Sequence, residues 1–556
     1  MGEKIVVIGG VAAGASAATK ARRTSEDAEI IVFERGSYVS FANCGLPYYV
    51  GGEIRERGQL FLVTPEMFRQ RFNIEVKINH EVVSINRAEK YVEVVDQASG
   101  RSFRESYTKL VIATGGTPVR PPIPGINLPG VSTLWTVPDV DSIMDTIAAR
   151  RVDSVAIVGG GFVGLETAEA FINRGVRVYI VEMLSQVMTP LDPEMAGIIS
   201  GHLQAQGAEV ILGDGVARFL GRDRVEEVEL ASGRKIKADL AVVAVGVKPE
   251  LKLVMDSGLA LGETKGVLVN GKMQTSDPDI YAAGDIVEST HLLTGKKVRV
   301  PLAGPANKQG RVAGANAAGG NLEFEGVLGT MVVKVCDLTA AKTGLNEREA
   351  GEAGLDYFVS YTHNGDHAGY YPGAKPMVIK LLAEKGTGRV LGSQIVGYQG
   401  VDKRIDVLAT AIYGKMNVKN LENLDLAYAP PYSSAKDPAI MAGFVAANVL
   451  RGEVEIMTGA QLLEARERGE DLQVVDVRTE EEFERGHIPG AKHIPVDSMR
   501  ERAGELDPGK TTVLYCGVGY RSYLAYKILQ ARGFTKLKNF SGGFQSWLLA
   551  SAVQKG

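Results

Sequence analysis

An α/β fold of several domains is what this sequence predicts, on three observations. Twice an apolar strand runs into a glycine-rich turn and then a helix, at "KIVVIGG" with "VAAGASAATKARR" and at "SVAIVGGGFVGLETAEAF". Each is followed by a second apolar strand ending in an acid, Glu34 in one case and Glu182 in the other. Near residue 458 the texture changes, and short strands and charged helices fill a separate C-terminal stretch. Strands alternating with helices argue for parallel sheets with helices on their faces.

At 556 residues the chain exceeds what one hydrophobic core holds, and about 150 residues per domain suggests three or four domains. Its 45% hydrophobic and 23% charged residues and its net charge of −4 fit a soluble globular protein. That balance offers no field for nucleic acid or a membrane surface. No apolar run approaches the roughly 18 residues of a membrane span, and the strand beginning at Lys4 is expected to leave no room for a secretory leader. Three cysteines (Cys44, Cys336 and Cys516) argue against a disulfide framework and for a reducing, cytoplasmic setting. No residue set is assigned to a metal.

In the first turn Gly9 and Gly14 match the first and third glycines of the dinucleotide fingerprint, while Val11 replaces the second, with Gly10 beside it. Glu34 then suits the hydroxyls of a ribose, and the helix N-terminus suits a pyrophosphate. The second turn has the full spacing in Gly159, Gly161 and Gly164. Glu182 accepts hydrogen bonds from a free 2′-hydroxyl and repels a 2′-phosphate, and no arginine follows it directly, which favours NADH over NADPH. Two further loops join the units: "LVIATGGTP", with Ala113, Thr114 and Gly115, and "TSDPDIYAAGDIVE", where Asp285 is poised to accept hydrogen bonds from a polyol.

The cysteines divide three ways. Cys44, in "SFANCGLPYY", has no second cysteine near it in sequence, and a disulfide needs α-carbons within about 7 Å. Either it is an inert thiol or its redox partner is not part of the fold. Cys336, in "MVVKVCDLTAAKTG", falls in an alternating strand pattern and is expected in the core. Cys516 opens a C-x-x-G-x-R loop between strand and helix. Its backbone amides, the helix N-terminus and Arg521 are expected to form an anion nest that lowers a thiol pKa and holds a persulfide.

The order of first fingerprint, ATG turn, second fingerprint, "AVGVKPE" with Gly246, and "AAGD" resembles the pyridine nucleotide–disulfide oxidoreductases over roughly residues 1–450. The resemblance implies FAD on the first unit, with Gly9, Gly10, Gly14, Glu34, Arg35, Ala113, Thr114, Gly115 and Asp285 about it. NADH would lie on the second, at Gly159, Gly161, Gly164, Glu182 and Gly246. Residues 458–556 resemble single-domain rhodaneses in "DVR", "GHIPGA", the Cys516 loop and the "GG…W" ending, with Asp476, Arg478 and His487 as scaffold. The expected organisation is therefore two Rossmann-like domains for FAD (1–150 and 272–324) and NAD (151–271). An α+β dimerisation domain (325–448), a linker (449–457) and a C-terminal α/β rhodanese domain (458–556) complete it.

Members of the family that use a protein dithiol carry a C-x4-C pair, which Cys44 lacks. The segment around it, with Ser40 and Asn43, resembles coenzyme A-disulfide reductases, whose cysteine carries coenzyme A. By that likeness Tyr370 and Tyr428, in "HAGYYPGAKP" and "DLAYAPPYSSAKDP", reach the active site of the other subunit of a homodimer, and Ser16, Lys20, Arg23, Ser40, Asn43 and Lys436 hold coenzyme A. Arg22 and Arg71 are further cations for its phosphates. The implied activity is NADH-dependent reduction of persulfides, polysulfides, CoA persulfide and CoA disulfide through Cys44. Cys516 would handle sulfane sulfur, drawn from small molecules or persulfidated proteins. The rivals are an NADH oxidase or peroxidase cycling Cys44 through a sulfenic acid, and a slow sulfur-carrier or redox-sensing protein.

Overall fold

Two compact units, Met1–Met183 with Gly207–Val327 and Leu184–Gln206 with Leu328–Gly556, make up a computed structural model of the chain, which describes residues 3–555. The first unit contains two parallel five-stranded sheets. In one, Lys4–Ile8 is central, flanked by Glu29–Glu34 and Lys109–Ile112, with Glu75–Ile78 and Ile280–Ala282 at the edges. These strands read as near-continuous apolar runs because helices cover them; Ile5, Val6 and Val7 are wholly buried. The chain leaves this sheet after Lys109–Ile112 and returns to it only at Ile280–Ala282, which sets Asp285 just beyond a strand end. The helices Ala12–Thr24 and Ala303–Ala317 lie backbone to backbone. A β-carbon at Gly310 would meet the Ala13 carbonyl oxygen at 2.2 Å, and one at Gly314 that of Ala17 at 2.0 Å.

The second sheet is centred on Ser154–Val158, between Arg177–Glu182 and Leu240–Val243, with Glu209–Leu212 at one edge. Its other edge, Val131–Ser132, comes from ahead of residue 151. Antiparallel three-stranded sheets, His80–Asn86 with Tyr91–Asp96 and Ser102–Ser106, and Val216–Leu220 with Glu227–Leu230 and Lys235–Lys237, complete the unit.

In the second unit an antiparallel sheet runs Met331–Val335, Leu338–Gly344, Val390–Gly397, Pro376–Glu384, Tyr357–Gly365. Cys336 is not in a strand of it, contrary to expectation. It sits in the hairpin turn after Met331–Val335 at φ +57°, half-buried. The alternating pattern is real but stops one residue short, because the chain reverses there. The C-terminal parallel sheet has the order Ile456–Met457, Leu537–Phe540, Thr511–Tyr515, Leu472–Asp476, Lys492–His493. Among the described residues no helix is long and apolar enough to cross a membrane.

A buried ion cluster ties the segment Leu184–Gln206 into this unit. Lys380, with no exposed surface, reaches Asp192 at 2.6 Å and Glu194 and Glu347 at 2.5 Å each, while Gln394 Nε2 donates to Asp192 Oδ2 at 2.5 Å. Burial opposes the ammonium charge, but Tyr361 and the three carboxyls outweigh it and hold the amine well above its ordinary value. Burial raises Glu347 even so.

Lys380→Met is expected to cost about 3–5 kcal/mol, because it strands buried carboxylates without their cation. Carboxyls left facing one another have folded-state pKa values above their unfolded ones, so the stability they contribute is lost as pH rises. The deficit, measured by denaturant unfolding, is therefore expected to shrink from pH 8 to pH 5.

Candidate active site

Both glycine turns are built alike. Gly9 and Gly159 take φ of +94° and +107°. A β-carbon there would fall 2.3 Å from the Ala113 carbonyl oxygen and 2.4 Å from that of Ala244. Gly14 and Gly164 then let the helix pass over the turn, since a β-carbon would lie 1.8 Å from Gly9 O and 2.0 Å from Gly159 O. A β-carbon at Gly161 meets nothing within 4 Å. That position is demanded by what approaches the turn rather than by the turn itself, which is why Val11 is sterically allowed in its counterpart. Neither Ala12–Thr24 nor Phe162–Asn173 has a side-chain cap at its N-terminus, so both present open amides to an anion.

The strand-end acids close the turns. Glu34 accepts from Gly10 N and Gly36 N, both at 2.8 Å, and Glu182 accepts from Gly160 N at 2.7 Å. Thr114 Oγ1 donates to Glu250 O at 2.9 Å, Arg35 lies 3.6 Å from the Glu250 carboxylate, and Gly115 and Gly246 have positive φ with open space at their α-carbons. Burial alone raises Asp285, a carboxyl suited to a hydroxyl donor. These turns fit two dinucleotides: open amides for pyrophosphate, acids for ribose, and no side chain in the way.

Cys44 lies on a short 3-10 turn, Asn43–Gly45, leading into the helix Leu46–Gly51. The residue keeps an exposed edge, its amide donates to Asn43 Oδ1 at 3.0 Å, and its thiol faces the same oxygen at 3.7 Å. Ser40, at φ +47°, anchors the approach to this turn by donating its N–H to Gly10 O at 2.8 Å. The helix Leu46–Gly51 is fastened to the second fingerprint helix. Tyr48 Oη donates to Glu166 Oε1 at 3.1 Å, Asn173 Nδ2 donates to Glu53 at 2.8 Å, and Arg174 bonds Val50 O. Burial raises Glu166 to about 7, with Glu169 adding to it against the Tyr48 hydrogen bond. Burial, then the charges of Glu166 and Asp285, push the Cys44 thiol up.

Ser16, Lys20 and Arg23 follow helical spacing along one face of Ala12–Thr24, with Ser16 Oγ donating to Asn307 Oδ1 at 2.6 Å. Arg23 and Arg71 are exposed. Arg22 corrects the expectation of a phosphate ligand. Buried, it donates to the carbonyls of Phe72, Ser25, Glu26, Ala28 and Asn73, so every arm of its guanidinium is spent inside the fold.

In the second unit Tyr370 and Tyr428 are 76% and 47% exposed, with hydroxyls 2.8 Å apart. Their loops are clamped by Arg404, which is 1% exposed and donates to Asp366 O, Tyr432 O, Ser433 Oγ and the Asp437 carboxylate. Lys436, beside that carboxylate in sequence, is exposed.

Cys516 is buried, and its sulfur accepts the Gly519 N–H at 3.1 Å. Arg521 is also paired: its two terminal nitrogens donate to Glu482 at 2.6 and 2.7 Å, and this pairing holds Glu482 down at about 2. Arg521 still interacts with Cys516, and Ser522 Oγ donates to the Cys516 sulfur at 3.6 Å, so the nest combines a backbone amide, a hydroxyl and a guanidinium shared with Glu482. Asp476 and Arg478 form a buried bidentate pair and His487 stacks on Phe483 at 3.9 Å.

Sequence reasoning missed Tyr48, Glu166, Arg404 and Glu482. Arg404 had a signal, since it occupies a core position in the helix Val401–Tyr413 among Val401, Ile405 and Leu408. Glu482 had none, standing last in a run of three acids within "TEEEFE".

Comparison with known proteins gives concordant matches. The family model for pyridine nucleotide-disulphide oxidoreductases matches residues 3–310, that for their dimerisation domain 330–440, and that for rhodanese-like domains 458–550. The NAD(P)H sulfur oxidoreductase (CoA-dependent) of Pyrococcus abyssi is 40% identical over 79% of this chain and 96% of its own. The solved structure of reduced Bacillus anthracis CoADR-RHD has a TM-score of 0.96 at 42% identity, covering 100% of this chain and 99% of that one. The NAD-dependent persulfide reductase from A. fulgidus has a TM-score of 0.91 at 42% identity, covering 98% and 100%.

Because the Glu166 charge raises Cys44, Glu166→Gln is expected to shift the Cys44 titration to lower pH. The pH dependence of Cys44 alkylation measures it, and an unmoved curve would show that Glu166 does not act on the thiol.

Proposed function

The chain belongs to the pyridine nucleotide-disulphide oxidoreductases, and from that premise we propose that it reduces sulfur–sulfur bonds of CoA persulfide, CoA disulfide and polysulfide with NADH, through Cys44. The observation that carries the reading is a lone exposed thiol beside two dinucleotide-type turns, in a chain whose second chemical thiol lies in a rhodanese-like loop. FAD, held by the first turn and by Glu34 and Asp285, supplies a two-electron relay from NADH to sulfur. Glu182 selects NADH by its charge.

The Cys44 thiolate attacks the CoA-bearing sulfur of CoA–S–SH, forming a mixed disulfide and releasing hydrosulfide. Hydride from NADH then cleaves that disulfide, restoring the Cys44 thiolate and giving CoA thiol and NAD⁺. With CoA disulfide the released group is CoA thiolate instead. Ser16, Lys20, Arg23, Ser40, Asn43, Arg71 and Lys436 are proposed to hold coenzyme A. In a homodimer the Tyr370–Tyr428 pair serves the Cys44 site across the subunit boundary, donating a hydrogen bond to the leaving thiolate. Cys516 accepts sulfane sulfur from polysulfide or persulfidated proteins as its own persulfide, and CoA thiolate then attacks the outer sulfur, freeing the Cys516 thiol and forming the CoA–S–SH that Cys44 reduces. The reducing cytoplasm suits three thiols that form no disulfide.

Anaerobic NADH oxidation is the test, with CoA disulfide, CoA persulfide and polysulfide as acceptors. Cys44→Ser is expected to lose at least about 10³-fold with every acceptor. Cys516→Ser is expected to lose polysulfide turnover while keeping reduction of CoA disulfide and CoA persulfide. Comparable NADH consumption with oxygen or peroxide alone would replace this reading with the sulfenic acid oxidase. Slow turnover with all acceptors, alongside stoichiometric loading of Cys516, would replace it with a sulfur carrier.

A further inference from the structure

One loop, Ser541–Gln545 ("SGGFQ"), a turn that runs into the first residues of the helix Gly543–Lys555, is packed between the Cys516 turn and the edge strand Tyr357–Gly365 of the antiparallel sheet. On the strand side Tyr361 N donates to Ser541 Oγ at 2.9 Å, and His363 Nε2 lies 2.9 Å from Ser546 Oγ. A β-carbon at Gly542 would fall 2.8 Å from Tyr361 Cβ. On the cysteine side Phe544 N donates to Cys516 O at 2.7 Å and Gln545 N to Gly517 O at 3.1 Å. A β-carbon at Gly543 would lie 2.4 Å from Cys516 O. The loop is one backbone thick, with no slack on either side. The Phe544 ring is further held 4.2 Å beneath the Arg478 guanidinium, itself paired with Asp476.

The same strand runs on to the phenol pair. After Gly365 comes Asp366, whose carbonyl accepts Arg404, and then the turn that carries Tyr370. His363 is therefore two residues from the end of a strand that contacts the Cys516 support on one side and leads into the Tyr370 loop at its tip. Burial lowers His363 to about 4, so the imidazole bonds Ser546 in its neutral form at working pH.

We propose that His363 is a positioning residue: through Ser546 and the Ser541–Gln545 loop it sets the Cys516 turn at a fixed place relative to the Tyr370–Tyr428 pair. Sulfur carried on Cys516 is thereby presented in one geometry rather than swept through many. This rests on the reading of Cys516 as a sulfur carrier. Neither His363 nor Ser546 is assigned to the CoA disulfide reaction, so the two substrates separate positioning from general loss of structure.

The experiment compares His363→Ala, His363→Gln, Ser546→Ala and Cys516→Ser in the full-length holoenzyme. Polysulfide, supplied with CoA, and CoA disulfide are the probes, and mass spectrometry reads sulfur loading on Cys516. Both alanine variants are expected to lower kcat/KM for polysulfide by about 10- to 100-fold while changing that for CoA disulfide by less than about twofold, as a misplaced reactant does. Loading of Cys516 is expected to persist, and His363→Gln, which keeps a hydrogen-bonding group, to recover most of the loss. Equal losses with both substrates, or unchanged polysulfide turnover in both alanine variants while Cys516→Ser is inactive with it, would overturn the positioning role. Unchanged polysulfide turnover in Cys516→Ser would overturn the sulfur-carrier reading and this proposal with it.

Discussion

Backbone passing over backbone at Gly9 and Gly14, and again at Gly159 and Gly164, governs the geometry of the first unit. A carbonyl lies where a side chain would begin, so the strand, turn and helix are held closer than any other residue permits. The consequences reach beyond the turns. Gly10 gives its amide to Glu34 and its carbonyl to Ser40, and Ser40 leads into the turn that bears Cys44. The second fingerprint helix, seated by Gly164, supplies Glu166 to Tyr48 four residues beyond that cysteine. The segment that bears Cys44 is thus tied to both turns by hydrogen bonds on either side of it.

Burial and the charges of Glu166 and Asp285 disfavour the Cys44 thiolate, whereas the Cys516 sulfur accepts a backbone N–H. A thiol held up is a slow nucleophile at neutral pH. In the proposed cycle the Cys44 thiolate is released by cleavage of its mixed disulfide, and need not be drawn from a resting thiol. Around Cys516 the Gly519 amide, the Ser522 hydroxyl and Arg521, shared with Glu482, make a setting that suits a singly charged persulfide.

Much of this was legible in the sequence because it rests on local rules. Glycine spacing, a strand before and a helix after, and an acid at the next strand's end specify a nucleotide turn without reference to distant residues. Cys516 was legible for the same reason. What escaped detection depends on which surface faces which. Arg22 and Arg23 are adjacent and chemically alike, yet one turns inward to five carbonyls and the other stays exposed. Cys336 followed the strand period up to the residue where the chain turned back. Tyr48 with Glu166, and Arg521 with Glu482, are long-range pairings, and no periodicity encodes a partner more than a hundred, or even some forty, residues away.

The ion cluster at Lys380 bears on where this chain can be cut or recombined. Two of its three carboxylates, Asp192 and Glu194, come from a helix lying inside the second dinucleotide stretch, more than a hundred residues ahead of the sheet that buries the lysine. A fragment beginning at Leu328 leaves Lys380 with Glu347 as its one remaining carboxylate, and leaves Gln394 without its aspartate. A chimera that takes its NAD-binding stretch from a relative must bring an acid pair that fits the recipient's lysine. Inheritance of the C-terminal half as a unit therefore includes 23 residues encoded elsewhere, Leu184–Gln206.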